Sequence, residues 1–276
     1  MTTPPVPAIT LNNGVVMPQL GFGVFQVPDA EATDAVTTAL QAGYRSIDTA
    51  ALYRNESGVG RAIAQSGLSR DELFVTSKVW NSDQGYDSTL RAYDASLSRL
   101  GLDVLDLYLI HWPTPKRDLY PETWRALEKL LAGGRVRAIG VSNFQPAHLQ
   151  RLFDEFDVVP AVNQVELHPR LQQPELRAFD AAHGIATEAW APLAQSAVLH
   201  DPVLTGIAER LGVTTAQVVL RWHLQIGNVV IPKSVTPARI VANIDLFGFE
   251  LSDEDMKQIA DLDQGRRIGA DPDQVN

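Results

Sequence analysis

The sequence predicts a (β/α)8 barrel preceded by a β-hairpin and carrying two extra helices. Three observations predict it. Short apolar runs alternate with amphipathic stretches eight times between Leu20 and Asp261. Five of the amphipathic stretches stop on glycine: at Gly43, Gly67, Gly101, Gly133-Gly134 and Gly184. The strand-like runs are apolar throughout rather than alternating, as a parallel sheet covered on one face and packed on the other requires. Eight such units in about 250 residues fit the barrel in number and size, with a doubly wound open sheet as the alternative.

The elements follow in order. Residues 1–7 read as a loose tail. Ala8–Leu11, the turn Asn12-Asn13-Gly14 and Val15–Met17 form a hairpin. Leu20–Val24 is the first barrel strand. Its Gly21-Phe22-Gly23 has no third glycine opening a helix, so it reads as close packing at a strand end rather than a dinucleotide fingerprint. Further strands are placed at Arg45–Asp48, Leu73–Lys78, Val104–Ile110, Val136–Val141, Ala161–Val165, Ile185–Ala189 and Asn228–Ile231. Helices are placed at Pro28–Ala42, Asn55–Ser66, Asp87–Leu100, Pro121–Leu131, Pro146–Phe156, Gln173–His183, Asp201–Leu211, Thr214–Gln225, Pro237–Asp245 and Asp253–Asp261. Residues 265–276 read as a C-terminal loop. No linker or composition shift divides the chain, so 1–276 is expected to be a single domain.

Composition narrows the function. The net charge of −10 argues against a general phosphate-backbone binder, so no nucleic-acid partner is expected. The absence of cysteine excludes disulfides, thiol nucleophiles and Cys-ligated metals. No apolar run is long enough for a membrane span and no leader pattern opens the chain, so a cytoplasmic monomer is expected. Only five lysines stand against eighteen arginines, and two of the five, Lys78 and Lys233, directly follow apolar runs.

In a barrel of this kind the active site is built at the C-terminal ends of the strands. Those positions carry Phe22 and Val24, Asp48, Lys78 with Trp80, His111 with Trp112, Ser142 with Asn143, Gln164 with Glu166, Trp190, and Lys233 with Ser234. Each alone has an ordinary structural explanation. Asp48, Lys78 and His111 ending three successive strands, with Tyr53 close behind, is harder to obtain by accident. A phenol with a pKa near ~10 is a poor acid at neutral pH. A neighbouring Lys⁺ stabilises the phenolate, and an Asp⁻ keeps that lysine charged. A neutral His can orient a substrate oxygen. Tyr53 thus reads as the acid/base and Asp48 as a group that does no chemistry itself. Replacing Asp48 by Asn is expected to raise the working pKa of Tyr53. With no nucleophile and no cysteine, a redox cofactor is implied and no metal is expected.

A second constellation can hold an anion. Lys233, Ser234, Thr236 and Arg239 surround the start of the helix at Pro237, and Asn243 lies one turn beyond Arg239. Trp190 offers a flat face to an aromatic ring, and Ser142, Asn143 and Gln164 offer amide-type hydrogen bonds.

Over its whole length the chain resembles the aldo-keto reductase superfamily. The resemblance is carried by Gly43–Ala50 with Tyr53 and Asn55-Glu56, by Ile139–Phe144, by Pro160–Pro169, and by Ile231–Ser234 through Arg239 and Asn243. It looks nearest the bacterial branch of 2,5-diketo-D-gluconate reductases, on Val158–Gln164, Leu220–Gln225 and Asp271-Pro272-Asp273. The resemblance implies an NADPH-dependent reductase of aldehydes and ketones, with small dicarbonyls, oxidised sugars or aromatic aldehydes as substrates. Tyr53 would be the proton donor, Lys78 and Asp48 its tuning pair, and His111 the carbonyl-orienting group. Ser142, Asn143 and Gln164 would hold the nicotinamide carboxamide, Trp190 would stack on its ring, and Leu193 would lie beside the cofactor. Lys233, Ser234, Thr236 and Arg239 would grip the 2′-phosphate, and Asn243 the adenine. Phe22, Trp80, His111 and Trp112 would line the substrate pocket. Thr236 stands where some relatives carry Arg, which leaves room for NADH beside NADPH.

Two other classes compete. A barrel glycosidase would use Asp48 and Glu166 as its carboxylate pair, but leaves Lys78, Tyr53 and the anion constellation unused. A binding or sensor protein would keep the cofactor site and do little chemistry.

Overall fold

The computed structural model describes residues 6–276. The hairpin pairs β1 (Ala8–Thr10) with β2 (Val16–Pro18) in antiparallel register, Ile9 opposite Met17. Eight parallel strands follow in sequence order: β3 (Phe22–Gly23), β4 (Ser46–Asp48), β5 (Phe74–Val79), β6 (Leu105–Ile110), β7 (Val136–Ser142), β8 (Val162–Glu166), β9 (Ala186–Trp190) and β10 (Val229–Val230). The seam between β10 and β3 is closed by a parallel bridge from Leu20 to Val230. Gly21 N and Gly23 N donate across it to Val230 O and Pro232 O, at 2.9 and 3.0 Å. The expected barrel is therefore the observed one. At the seam, a Cβ on Gly21 would come within 2.9 Å of Ser46 Oγ, so this glycine serves close packing.

The helices are α1 (Asp29–Ala42), α2 (Glu56–Gln65), α3 (Tyr86–Leu100), α4 (Tyr120–Ala132), α5 (Pro146–Glu155), α6 (Pro174–Ala182), α7 (Pro202–Leu211), α8 (Thr215–Gln225), α9 (Pro237–Ile244) and α10 (Asp253–Ala260). One helix follows each strand, with a second after β9 and after β10. None among the described residues is long and apolar enough to cross a membrane alone.

Two apolar cores result. The larger lies between sheet and helices and includes Val36, Leu97, Leu127, Leu152 and Trp222. The smaller fills the lower barrel, where Leu11 and Met17 of the hairpin close the N-terminal end against Phe74, Leu107, Leu109 and Val162. With that end sealed, a wide cleft opens at the strand C-termini. Of the expected tail, residues 1–5 lie outside the described residues. Val6 and Pro7 are held in place: Val6 packs on the core and Pro7 O accepts from Gln19 N at 2.8 Å.

Candidate active site

A cleft of about 580 Å³ opens at the C-terminal ends of the strands. Its inner corner is built on β4, β5 and β6. Asp48 ends β4, and a short 3-10 turn, Ala51–Tyr53, brings Tyr53 back over it. Asn55 pins that turn: its amide donates to Val24 O and Val27 O, both at 2.8 Å, and its oxygen accepts from Thr49 Oγ1 at 2.8 Å. Lys78, fully buried in β5, pairs with Asp48 Oδ1 at 2.6 Å and donates to Thr49 O at 2.9 Å. Its ammonium stands 5.2 Å from the centre of the Tyr53 ring. A buried cation is tolerated only with such partners.

Burial pushes the Tyr53 phenol up, Lys78 pulls it down, and Asp48 and Glu188 push it up again. The net direction is upward, which corrects the expectation of a phenol brought towards neutrality. Asp48 therefore acts in two senses. It holds Lys78 charged against the burial that would discharge it, and its own charge disfavours the phenolate. Across the cleft, burial and the Lys78 charge hold His111 well below the ordinary imidazole range, so it is neutral. His111 packs edge-on against Tyr53 at 5.6 Å and Trp80 at 5.1 Å. Its Nδ1 is buried without a partner among the described residues, which leaves Nε2 for a molecule in the cleft.

The next wall comes from β7, β8 and β9. Ser142 Oγ donates to Gln164 O at 2.7 Å, Asn143 Nδ2 to His111 O at 3.0 Å, and Trp190 Nε1 to Asn143 Oδ1 at 2.9 Å. Gln164 Nε2 donates to both Asp48 Oδ2 and Glu188 Oε2, each at 2.8 Å. With both amide hydrogens engaged, only its Oε1 is left for a ligand. Glu188, in the middle of β9, is fully buried, and its Oε1 has no partner among the described residues. Burial and the nearby Asp48 charge push its carboxyl up to about 8. Sequence reading missed this residue, because an inward acid in mid-strand has no local signature.

The outer end is different. Lys233, Thr236 and Arg239 are exposed, and neither cation has a carboxylate partner among the described residues. Between the two ends runs Ala191–Ser196, where Ala191, Ala194, Gln195 and Ser196 all have φ between 47° and 77°. Four non-glycine residues in left-handed backbone within six positions are a strained cluster of the kind found at ligand sites. Leu193, Gln195 and Ser196 line the cleft.

Asp48, Tyr53, Trp80, His111, Trp112, Ser142, Asn143, Gln164, Trp190, Leu193, Lys233, Ser234, Thr236 and Arg239 all line this one cleft, and Lys78 lies beneath it. Two expected residues do not line it. Phe22 faces away from the barrel axis and packs edge-on against Tyr44 at 5.6 Å, because Gly23 takes the inward position. Phe25, 46% exposed and 5.1 Å from the Tyr53 ring, lines the cleft instead. Asn243 shares the buried face of α9 with Ile240 and Ile244 rather than the cleft side. Glu166 is no free half of a carboxylate pair either: His168, Ile268 N and Gly269 N engage its oxygens.

The model of the aldo/keto reductase family matches residues 19–264. An aldo-keto reductase of Mycolicibacterium smegmatis is 59% identical over 266 residues, 96% of this chain and 97% of that one. The glyoxal reductase of Bacillus subtilis is 56% identical over 268 residues, 97% of this chain and 96% of that one. Among solved structures, a Gox0644 mutant in complex with NADPH superposes with a TM-score of 0.94 at 50% identity, covering 98% of each chain. The chain belongs to the aldo/keto reductase family and is an oxidoreductase.

Proposed function

We propose that this protein reduces the carbonyl of small aldehydes and ketones to the alcohol with NADPH, using Tyr53 as the proton donor. The observation that carries the reading is the buried Lys78–Asp48 pair set under Tyr53, with a neutral His111 opposite, at the inner end of a cleft whose outer end holds the exposed cations Lys233 and Arg239.

The cleft fits such a cofactor by shape and by donor set. A long dinucleotide needs a flat apolar face and hydrogen-bonding groups at one end and positive charge at the other. Trp190, Gln164 Oε1 and Ser142 supply the first; Lys233, Arg239, Ser234 and Thr236 supply the second. NADPH when bound supplies the hydride that the carbonyl carbon receives. His111 Nε2 donates to the carbonyl oxygen and aims it at Tyr53. Tyr53 gives its proton to that oxygen as negative charge develops there, and Lys78 stabilises the phenolate left behind. A phenol held high by burial keeps its proton at neutral pH and so has one to give. Phe25, Trp80 and Trp112 wall the substrate side and limit water near the reacting carbon.

The substrate reading is small 1,2-dicarbonyls such as glyoxal and methylglyoxal, with oxidised sugars and aromatic aldehydes next. It draws on the aromatic, compact inner corner and on the glyoxal reductase relative. The protein is read as a cytoplasmic monomer, with NADH accepted less well than NADPH. Oxidation of NADPH and NADH, side by side, over a panel of carbonyls tests the reading. It fails if neither cofactor is oxidised with any carbonyl.

A further inference from the structure

The C-terminal segment, which has no regular secondary structure, is tied down at several points, one of them a buried carboxylate at the end of β8. Glu166, fully buried at the end of β8, receives Ile268 N on Oε1 at 2.6 Å and Gly269 N on Oε2 at 3.0 Å. His168 Nε2, itself buried, lies 3.0 Å from Oε1. The same corner is stitched from below: Gln173 Nε2 donates to Glu166 O at 2.5 Å, and Arg267 donates to Gln173 Oε1 at 3.2 Å. Burial alone would push the Glu166 carboxyl up. His168 and the two backbone N–H groups outweigh it and keep it ionised.

The segment is pinned against a particular surface. Glu166 pairs in register with Trp190 on β9. A Cβ on Gly269 would lie 2.5 Å from Cη2 of Trp190 and 2.8 Å from Glu166 Oε2. Gly269 is a glycine for space, since its backbone is not left-handed. The indole is thus gripped at both ends, its Nε1 by Asn143 and its six-membered ring by Gly269. Beyond Gly269 the segment reaches the β6–α4 loop, where Asn276 Oδ1 accepts from Lys116 N at 2.7 Å.

We propose that Glu166 is a positioning residue for the cofactor: by anchoring Ile268 and Gly269 it seats the C-terminal segment against Trp190 and fixes the face on which the nicotinamide stacks. The inference rests on the NADPH reading of the cleft. It separates cofactor grip from chemistry, because Glu166 touches neither Tyr53 nor Lys78. A Gln at 166 presents an amide N–H to one of the two backbone N–H groups, so the anchor is lost while size is kept. An Ala at 269 leaves the anchor's donor in place but forces the segment off the indole.

The test measures NADPH affinity by calorimetry, together with kcat and KM, for the wild type, Glu166→Gln, Gly269→Ala and the double variant. Each single change weakens NADPH binding about fivefold, in the range usual for coupled sites, and raises KM for NADPH while kcat stays near the wild-type value. The double variant loses no more than the worse single, because both changes displace one segment. Trypsin cleavage after Arg266 or Arg267, read by mass spectrometry, is faster in Glu166→Gln than in the wild type. Losses that multiply in the double variant overturn the proposal, as does full NADPH affinity in folded Gly269→Ala if Glu166→Gln does not fold. A wild-type chain that binds no NADPH overturns the reading of the cleft, and the trypsin comparison then still reports on the anchor.

Discussion

The two ends of the cleft are built on opposite principles. At the inner end every charge is buried and answered: Lys78 by Asp48 and Thr49, Asp48 also by Gln164, and Gln164 also by Glu188. At the outer end Lys233 and Arg239 stand in solvent, with no carboxylate beside them among the described residues. The inner end is fixed by folding and is ready before any ligand arrives. The outer end has cationic charge to spare and waits for an anion. Changes at the inner end should therefore alter stability or rate, and changes at the outer end should cost affinity alone.

The largest expected effect is at Lys78. Replacing it by Met keeps volume but strands Asp48 as an unpaired buried charge, for a loss of about 3–5 kcal/mol. Urea unfolding reads the loss, and reduction is expected to disappear with it. A Lys78→Met protein as stable as the wild type would mean the pair is not held in the buried form described. At the outer end, Arg239→Ala removes charge-assisted contacts to a phosphate and should weaken NADPH by about tenfold, roughly 1.4 kcal/mol. Affinity for NADH and thermal stability should stay put. Equal losses for both cofactors would place Arg239 away from the 2′-phosphate.

A smaller effect sharpens the picture of the inner end. Glu188 keeps its proton up to about 8 in the fold, whereas in the unfolded chain it loses it in the ordinary carboxylate range. Between those limits the unfolded state sheds a proton that the native state holds, so stability falls as pH rises. Glu188→Gln, the uncharged isostere, removes that slope. Relative to the wild type, the variant should gain of order 1 kcal/mol per pH unit between about pH 5 and pH 8. Parallel stability curves would show that Glu188 is ionised in the fold. The smallest effect is that of salt: raising it should weaken NADPH binding through the exposed cations and leave the buried pair untouched.

Much of the molecule is legible in its sequence. Helix stops such as Gly43 and Gly101 act locally, through left-handed backbone at φ 108° and 67°, so α1 and α3 end where the glycines say. Asp48 and Lys78 can be found because an acid and a lysine just after apolar runs are costly unless paired. What escapes is set by register and distance. Phe22 and Phe25 exchange roles because β3 is only two residues long and its pleat puts Gly23 inward. Glu188 meets Gln164 and Asp48 only through strand pairing. Ala191 and Ala194 hold left-handed backbone that no glycine or asparagine announces. The bond from Ile268 to Glu166 spans 102 positions, beyond any local pattern.

The central claim is that Tyr53 gives the proton while the rest of the inner end prepares it. Its most direct test is Tyr53→Phe, with NADPH oxidation by methylglyoxal and the NADPH dissociation constant measured on the same preparation. A kcat lowered about 10²–10⁴-fold at unchanged NADPH affinity is the predicted result. A variant that turns over as fast as the wild type would contradict it.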